Sequence, residues 1–156
     1  MAMILVDGDG NYVSTCALCD KVLSDPIFAT THFIEDLNHH LYQYSDAGIH
    51  WDCYAKWEFQ EEFASLYFEA VRGSPRDRRF WRVLAESGDI YVEYGTALGE
   101  VGVLLRMSGT EDSVPRDRWP EWLDGGYLKD SPHPLHRAAV ENALPFLRSV
   151  RLPEAG

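Results

Sequence analysis

What this chain has little of narrows the field before any motif is read. No apolar run approaches the roughly 20 residues that a membrane-spanning helix needs. Met1-Ala2-Met3-Ile4-Leu5-Val6 has no basic start and reaches Asp7 too soon to act as a secretory leader, so a cytoplasmic protein with reduced thiols is expected. Basic residues are scarce: 14 Lys and Arg stand against 25 Asp and Glu, a formal charge of −11. Such a field repels nucleic acid and attracts cationic surfaces. There is no G-x-S-x-G nucleophile turn and no G-x4-G-K-[ST] phosphate loop. Gly99 and Gly102 do not make a dinucleotide loop, because no helix follows them. No repeat or low-complexity segment is present. The expectation is a protein that is not an enzyme.

What is present begins with the three cysteines. Cys16-Ala17-Leu18-Cys19 is a C-x2-C pair, and His50-Trp51-Asp52-Cys53 is an H-x2-C pair some thirty residues later. Two residues between ligands let one tight turn aim two side chains at a single tetrahedral ion. The competing readings are a redox dithiol or three buried free thiols, and the matched H-x2-C favours metal. Four protein ligands close the shell and leave no position for a catalytic water, so the expected cofactor is a structural Zn²⁺, with iron the alternative for the same donors.

A cysteine knuckle followed by a pair on the first turn of a helix resembles the treble-clef class of zinc fingers, over residues 12–72. The H-x2-C half is similar to the junction in LIM-type modules, whose second zinc unit has no counterpart here. The resemblance implies a zinc-stapled N-terminal half with Cys16, Cys19, His50 and Cys53 as ligands. Treble clefs also occur in nucleases with a His-Asn-His constellation, and His32, Asn38, His39 and His40 lie between the two pairs. Those enzymes need a free histidine on the helix, and here His50 is already a ligand. His39 and His40 read as surface loop histidines, because adjacent side chains are expected to diverge.

The rest of the chain predicts an α+β fold: short hairpins and a helix around the zinc, packed with a β-hairpin and further helices. One domain is expected over 1–156, with a zinc-binding half at 1–73 and a second lobe at 74–152. Met3 to Val6 reads as a short strand and Asp7-Gly8-Asp9-Gly10-Asn11 as a turn. Calcium is rejected there, since Tyr12 stands where an EF-hand loop needs glycine and Leu18 where it needs glutamate. Lys21 to Leu23 returns from the knuckle, and Ile27 to Phe33 is a candidate strand. Trp57, Phe63, Leu66, Tyr67 and Ala70 predict one helix from about Trp51 to Arg72, closed by Gly73.

Ser74-Pro75 then restarts a helix over Arg76 to Glu86, where Arg76, Arg78, Arg79 and Arg82 form the concentrated basic patch. Alternation at Ile90, Val92, Tyr94 and at Val101, Val103, Leu105, Met107 predicts a hairpin with one buried face. Arg116 to Leu128 reads as a loop. Ser131-Pro132 caps a last helix to about Leu144, which Pro145 should kink or end.

These features point first to an acidic protein-binding module for a partner with a basic surface. Its concrete form is an immunity protein that neutralises a basic bacterial toxin. Candidate partner-binding residues are Glu58, Glu62 and Glu69 on one helix face, with Trp122 and Asp124. The alternatives are a zinc-containing regulator or adaptor touching nucleic acid through Arg76 to Arg82, and an enzyme whose site carries no known motif.

Overall fold

A computed structural model describes residues 2–74 and 79–154. The chain is α+β, 36% helix and 23% strand. It divides into two compact units, Met1–Phe63 and Ala64–Gly156, so the division falls inside a helix rather than after Gly73.

The first unit has little regular structure. Its N-terminal strand is reduced to one bridge, Val6 with Tyr12, around a turn in which the Asp7 carboxylate accepts from the N–H groups of Asp9 and Asn11, both at 2.9 Å. β1 (Ile27–Ala29) is shorter than expected and pairs antiparallel with β2 (Gly48–His50). α1 (Trp51–Lys56) leaves β2 directly. The single helix expected over 51–72 is broken: Trp57 is extended, and α2 (Gln60–Gly73) starts afresh. The break lets Trp57 lie between Tyr44, 4.6 Å away, and Phe63, 5.4 Å away. An unbroken helix would put Trp57 and Phe63 six residues apart, on different faces. Phe28 stacks on Tyr54 at 3.8 Å and Trp51 meets both rings edge-on; Leu23, Ile34, Leu41, Ile49 and Phe63 are the other large hydrophobic side chains buried in this unit.

The second unit is an antiparallel meander, β3 (Trp81–Glu86), β4 (Ile90–Gly95), β5 (Glu100–Leu105) and β6 (Thr110–Pro115), paired in chain order. The β4–β5 hairpin forms as expected, but not with a single buried face: every residue of β5 from Val101 to Leu105 is buried. β3 departs from expectation: residues 81–86 form an edge strand where a helix is predicted, and residues 75–78 of that predicted helix lie outside the described residues. Phe80, Trp81 and Leu84 suit a helix by spacing, but pairing with β4 decides. Trp81 lies opposite Gly95, and a Cβ there would sit 3.0 Å from the indole ring. Of the expected basic patch, Arg79 and Arg82 are exposed, and Arg76 and Arg78 are outside the described residues.

The predicted loop 116–128 is a chain of short helical turns kinked at Gly125, whose φ of 122° is open to glycine. It carries Trp119 and Trp122, stacked at 5.6 Å, into the core. α3 (Pro134–Arg148) covers Val92, Val101, Val103 and Val114 with Ala139, Val140, Ala143 and Leu147. His133, rather than Ser131, caps it: its Nδ1 accepts from the Leu135 N–H at 3.0 Å. The helix runs on through Pro145 to Arg148 instead of stopping near Leu144. An interior proline costs about 3 kcal/mol. The buried Ala143 and Leu147 on either side hold the last turn on the sheet.

Candidate metal centre

Two backbone turns bring the cysteines and His50 together. In the knuckle, the Cys16 N–H donates to the Lys21 carbonyl at 2.8 Å and the Asp20 N–H to the Cys16 carbonyl at 2.9 Å. The turn closes because Asp20 takes a left-handed φ of 62°, a conformation that Asp tolerates better than most residues. A bridge between Thr15 and Val22 fixes its base. The Ala17 N–H reaches the Gly48 carbonyl at 3.0 Å, which docks the knuckle on β2. Gly48 permits this approach, since a Cβ would lie 2.9 Å from Leu23 Cδ1. His50 then ends β2 as the N-cap of α1, with Cys53 in the helix's first turn.

The donor atoms of Cys16, Cys19, His50 and Cys53 all lie within 4.8 Å of one another, close enough to share one metal ion. His50 Nδ1 is 3.3 Å from Cys19 Sγ and 3.8 Å from Cys53 Sγ. For a tetrahedral ion with Zn–S of about 2.3 Å and Zn–N of about 2.05 Å, the N···S edge is about 3.6 Å. The two distances bracket that edge. With Nδ1 as the ligand, the opposite nitrogen carries the hydrogen. Val22 offers its carbonyl at 3.2 Å from Nε2, the outer partner that orients a metal-bound imidazole. The Ser24 N–H, also 3.2 Å from Nε2, suits the other tautomer. Only the Val22 contact is compatible with a metal on Nδ1.

The electrostatics favour a cation. Burial pushes the Cys16 thiol up, but the N–H groups of His50, Cys19 and Leu18 outweigh it and bring Cys16 down to about 7. The His50 N–H lies 3.3 Å from Cys16 Sγ. Burial, the hydrogen bond with Cys19 and the charge of Cys16 push Cys53 up to about 11. One thiolate is thus already stabilised by the backbone, while its neighbour resists a second negative charge. A divalent ion removes that conflict.

The acidic charge is unevenly divided. The first unit holds eleven Asp and Glu against only Lys21 and Lys56, and every one of the eleven is exposed. The second unit holds fourteen acidic residues against twelve basic ones, so nearly all of the net charge belongs to the unit with the cysteine cluster.

The candidate partner-binding residues are dispersed. Glu58 lies in the turn before α2 instead of on it, and is exposed. Glu62 meets His40 at 3.0 Å. Glu69 belongs to the second unit, where Arg106 and then Arg72 hold its carboxyl below the usual carboxylate range. Trp122 is 1% exposed and offers no surface to a partner, whereas Asp124 is exposed.

Sequence reasoning missed a polar trio in the second unit, built around one buried histidine. His136, 2% exposed, meets both Asp112 oxygens through Nε2, at 2.8 and 3.0 Å, and Ser131 Oγ through Nδ1 at 2.9 Å. The order Ser–His–Asp is that of a hydrolytic triad. Here the imidazole is sealed in, and the serine hydroxyl donates to the His133 carbonyl at 3.1 Å. The trio ties β6 to the start of α3. Twenty-four residues separate His136 from Asp112, and no motif spacing links them.

No transmembrane candidate exists among the described helices. No family model matches this chain, and neither a curated protein nor a solved structure matches it.

Proposed function

We propose that Cys16, Cys19, His50 and Cys53 hold a structural Zn²⁺ in a treble-clef-like arrangement, and that the unit it staples is an acidic protein-binding module. The concrete form is an immunity protein that neutralises a basic toxin in the cytoplasm. The observation that carries the reading is the charge division: eleven exposed carboxylates and two lysines on the unit that bears the cysteine cluster. Bound zinc would supply folding free energy, of the order of 10 kcal/mol in small zinc modules. The chain's own residues would do the recognition. Glu58 and Glu61 are exposed, and among the described residues neither makes an ion pair with the chain itself. They are available to a cationic partner, whereas Glu69 is already neutralised by Arg106 and Arg72.

The test is capture of partners from the host's own lysate, washed at low and at high salt, followed by association kinetics with the purified partner. One stoichiometric basic protein, released by salt, is expected. The double variant Glu58→Lys, Glu61→Lys should slow its association at low salt about tenfold, because steering follows the field of the whole face. Retention of nucleic acid alone, or an unchanged on-rate, would rule the reading out.

A further inference from the structure

We propose that His39, His40 and Glu62 form a second metal site, open to solvent, that takes an exchangeable divalent ion of the Zn²⁺ or Ni²⁺ kind. The backbone, rather than helical spacing, assembles it. Asp36 opens a tight turn: its carboxylate accepts from the Asn38 N–H at 2.9 Å and its carbonyl from the His39 N–H at 3.0 Å. The His39 carbonyl accepts in turn from the Tyr42 N–H at 3.0 Å. In this turn the neighbouring imidazoles do not diverge. They stack, with centroids 4.9 Å apart and planes 21° from parallel. Phe59 packs edge-on against His40 at 5.0 Å and fixes the ring. The first turn of α2 then presents Glu62, whose Oε1 lies 3.0 Å from His40 Nε2. The three donor atoms lie within 4.8 Å of one another.

The chemistry of this set differs from that of the cysteine cluster. Two imidazoles and one carboxylate suit borderline ions such as Zn²⁺, Ni²⁺ and Cu²⁺, not Ca²⁺ or Mg²⁺, which prefer all-oxygen sets. The N···O edge around such an ion is about 2.9 Å at a right angle and about 3.4 Å in a tetrahedron, given bonds of about 2.05 and 2.1 Å. The His40–Glu62 distance already falls in that range. Three protein ligands leave at least one position to water, so the ion exchanges where a four-ligand site would hold it. Binding also has an internal cost. His39 Nδ1 accepts from the Leu41 N–H at 3.1 Å. The ion either displaces that contact or takes the opposite nitrogen, and the tautomer change then ends the contact as well. Giving up one hydrogen bond makes the site weaker than the cysteine cluster.

The experiment starts from protein loaded with one equivalent of zinc and desalted, then titrated with Zn²⁺ and separately with Ni²⁺ by calorimetry. A second equivalent of micromolar affinity is expected, with the paramagnetic Ni²⁺ broadening the NMR signals of His39 and His40 but not of the exposed His32. His40→Ala and Glu62→Gln should each weaken that equivalent at least tenfold and leave the first intact, which also reports that the fold is unharmed. A wild-type protein that stops at one equivalent would overturn the proposal. So would a second equivalent that survives both substitutions.

Discussion

Stripping the cysteine cluster of metal should release the first unit and leave the second in place. The first unit has two strands of three residues and a six-residue helix before α2. A core of that size supplies only about 3–5 kcal/mol by itself. Zinc at a thousand times its dissociation constant adds about 4.1 kcal/mol by mass action, a thousandfold in the open-to-closed ratio. Amide hydrogen exchange reads that ratio segment by segment. On adding a strong chelator, the amides of Cys16 and Thr30, bonded to Lys21 and Ala47 at 2.8 Å, should exchange about a thousandfold faster. Those of β4 and β5 should not change, because Val92, Val101, Val103 and Leu105 are buried against Trp122, Val140 and Leu147 in a core of their own. Exchange that the chelator leaves untouched would refute the staple. Equal acceleration in β4 and β5 would refute the independence of the second core.

Three further outcomes are expected. Cys53→Ser should abolish zinc binding and reproduce the effect of the chelator on the same amides; a variant without zinc but with native melting would contradict it. His136→Ala should lower the stability of the second unit by about 2–3 kcal/mol in urea unfolding, since Asp112 and Ser131 lose a buried partner, and a change under 0.5 kcal/mol would mean that the trio does not hold β6 to α3. Gly102→Val should cost about 1–3 kcal/mol through overpacking, because a Cβ there would lie 3.2 Å from Cγ of Glu93, which is 2% exposed. An unchanged melting temperature would show that Glu93 can yield.

The parts of this molecule that were legible in its sequence are those governed by local rules. Cysteine spacing marked the cluster because two residues between ligands is a geometric requirement of the ion, whatever the fold around it. Alternation marked β4 and β5 because Val92, Val101, Val103 and Leu105 share one core, although Glu93, Gly102 and Leu104 between them are buried as well. Where the sequence misled, a distant partner decided. Residues 81–86 carry spacing that suits a helix, but Gly95 opens a place for Trp81 across the sheet, and that place exists only once β4 is formed. The break at Trp57 answers to Tyr44 and Phe63. His136 and Asp112, far apart in the chain, meet only when β6 lies under α3.

The stacked histidines show the same limit from the other side. Adjacent side chains diverge in a strand or a helix, and a rule built on those two conformations excludes His39 and His40 as joint ligands. The Asp36 turn is neither, so the rule does not reach it. The charge follows a similar logic. A total of −11 describes an acidic protein of any kind. Once the chain divides at Phe63, almost all of that charge falls on the unit with the fewest hydrogen-bonded elements and the smaller core. Repulsion among eleven carboxylates opposes the folding of a unit that can least withstand it. An ion held by Cys16, Cys19, His50 and Cys53 would offset that repulsion, which is a physical reason for the cysteines and the carboxylates to share one unit.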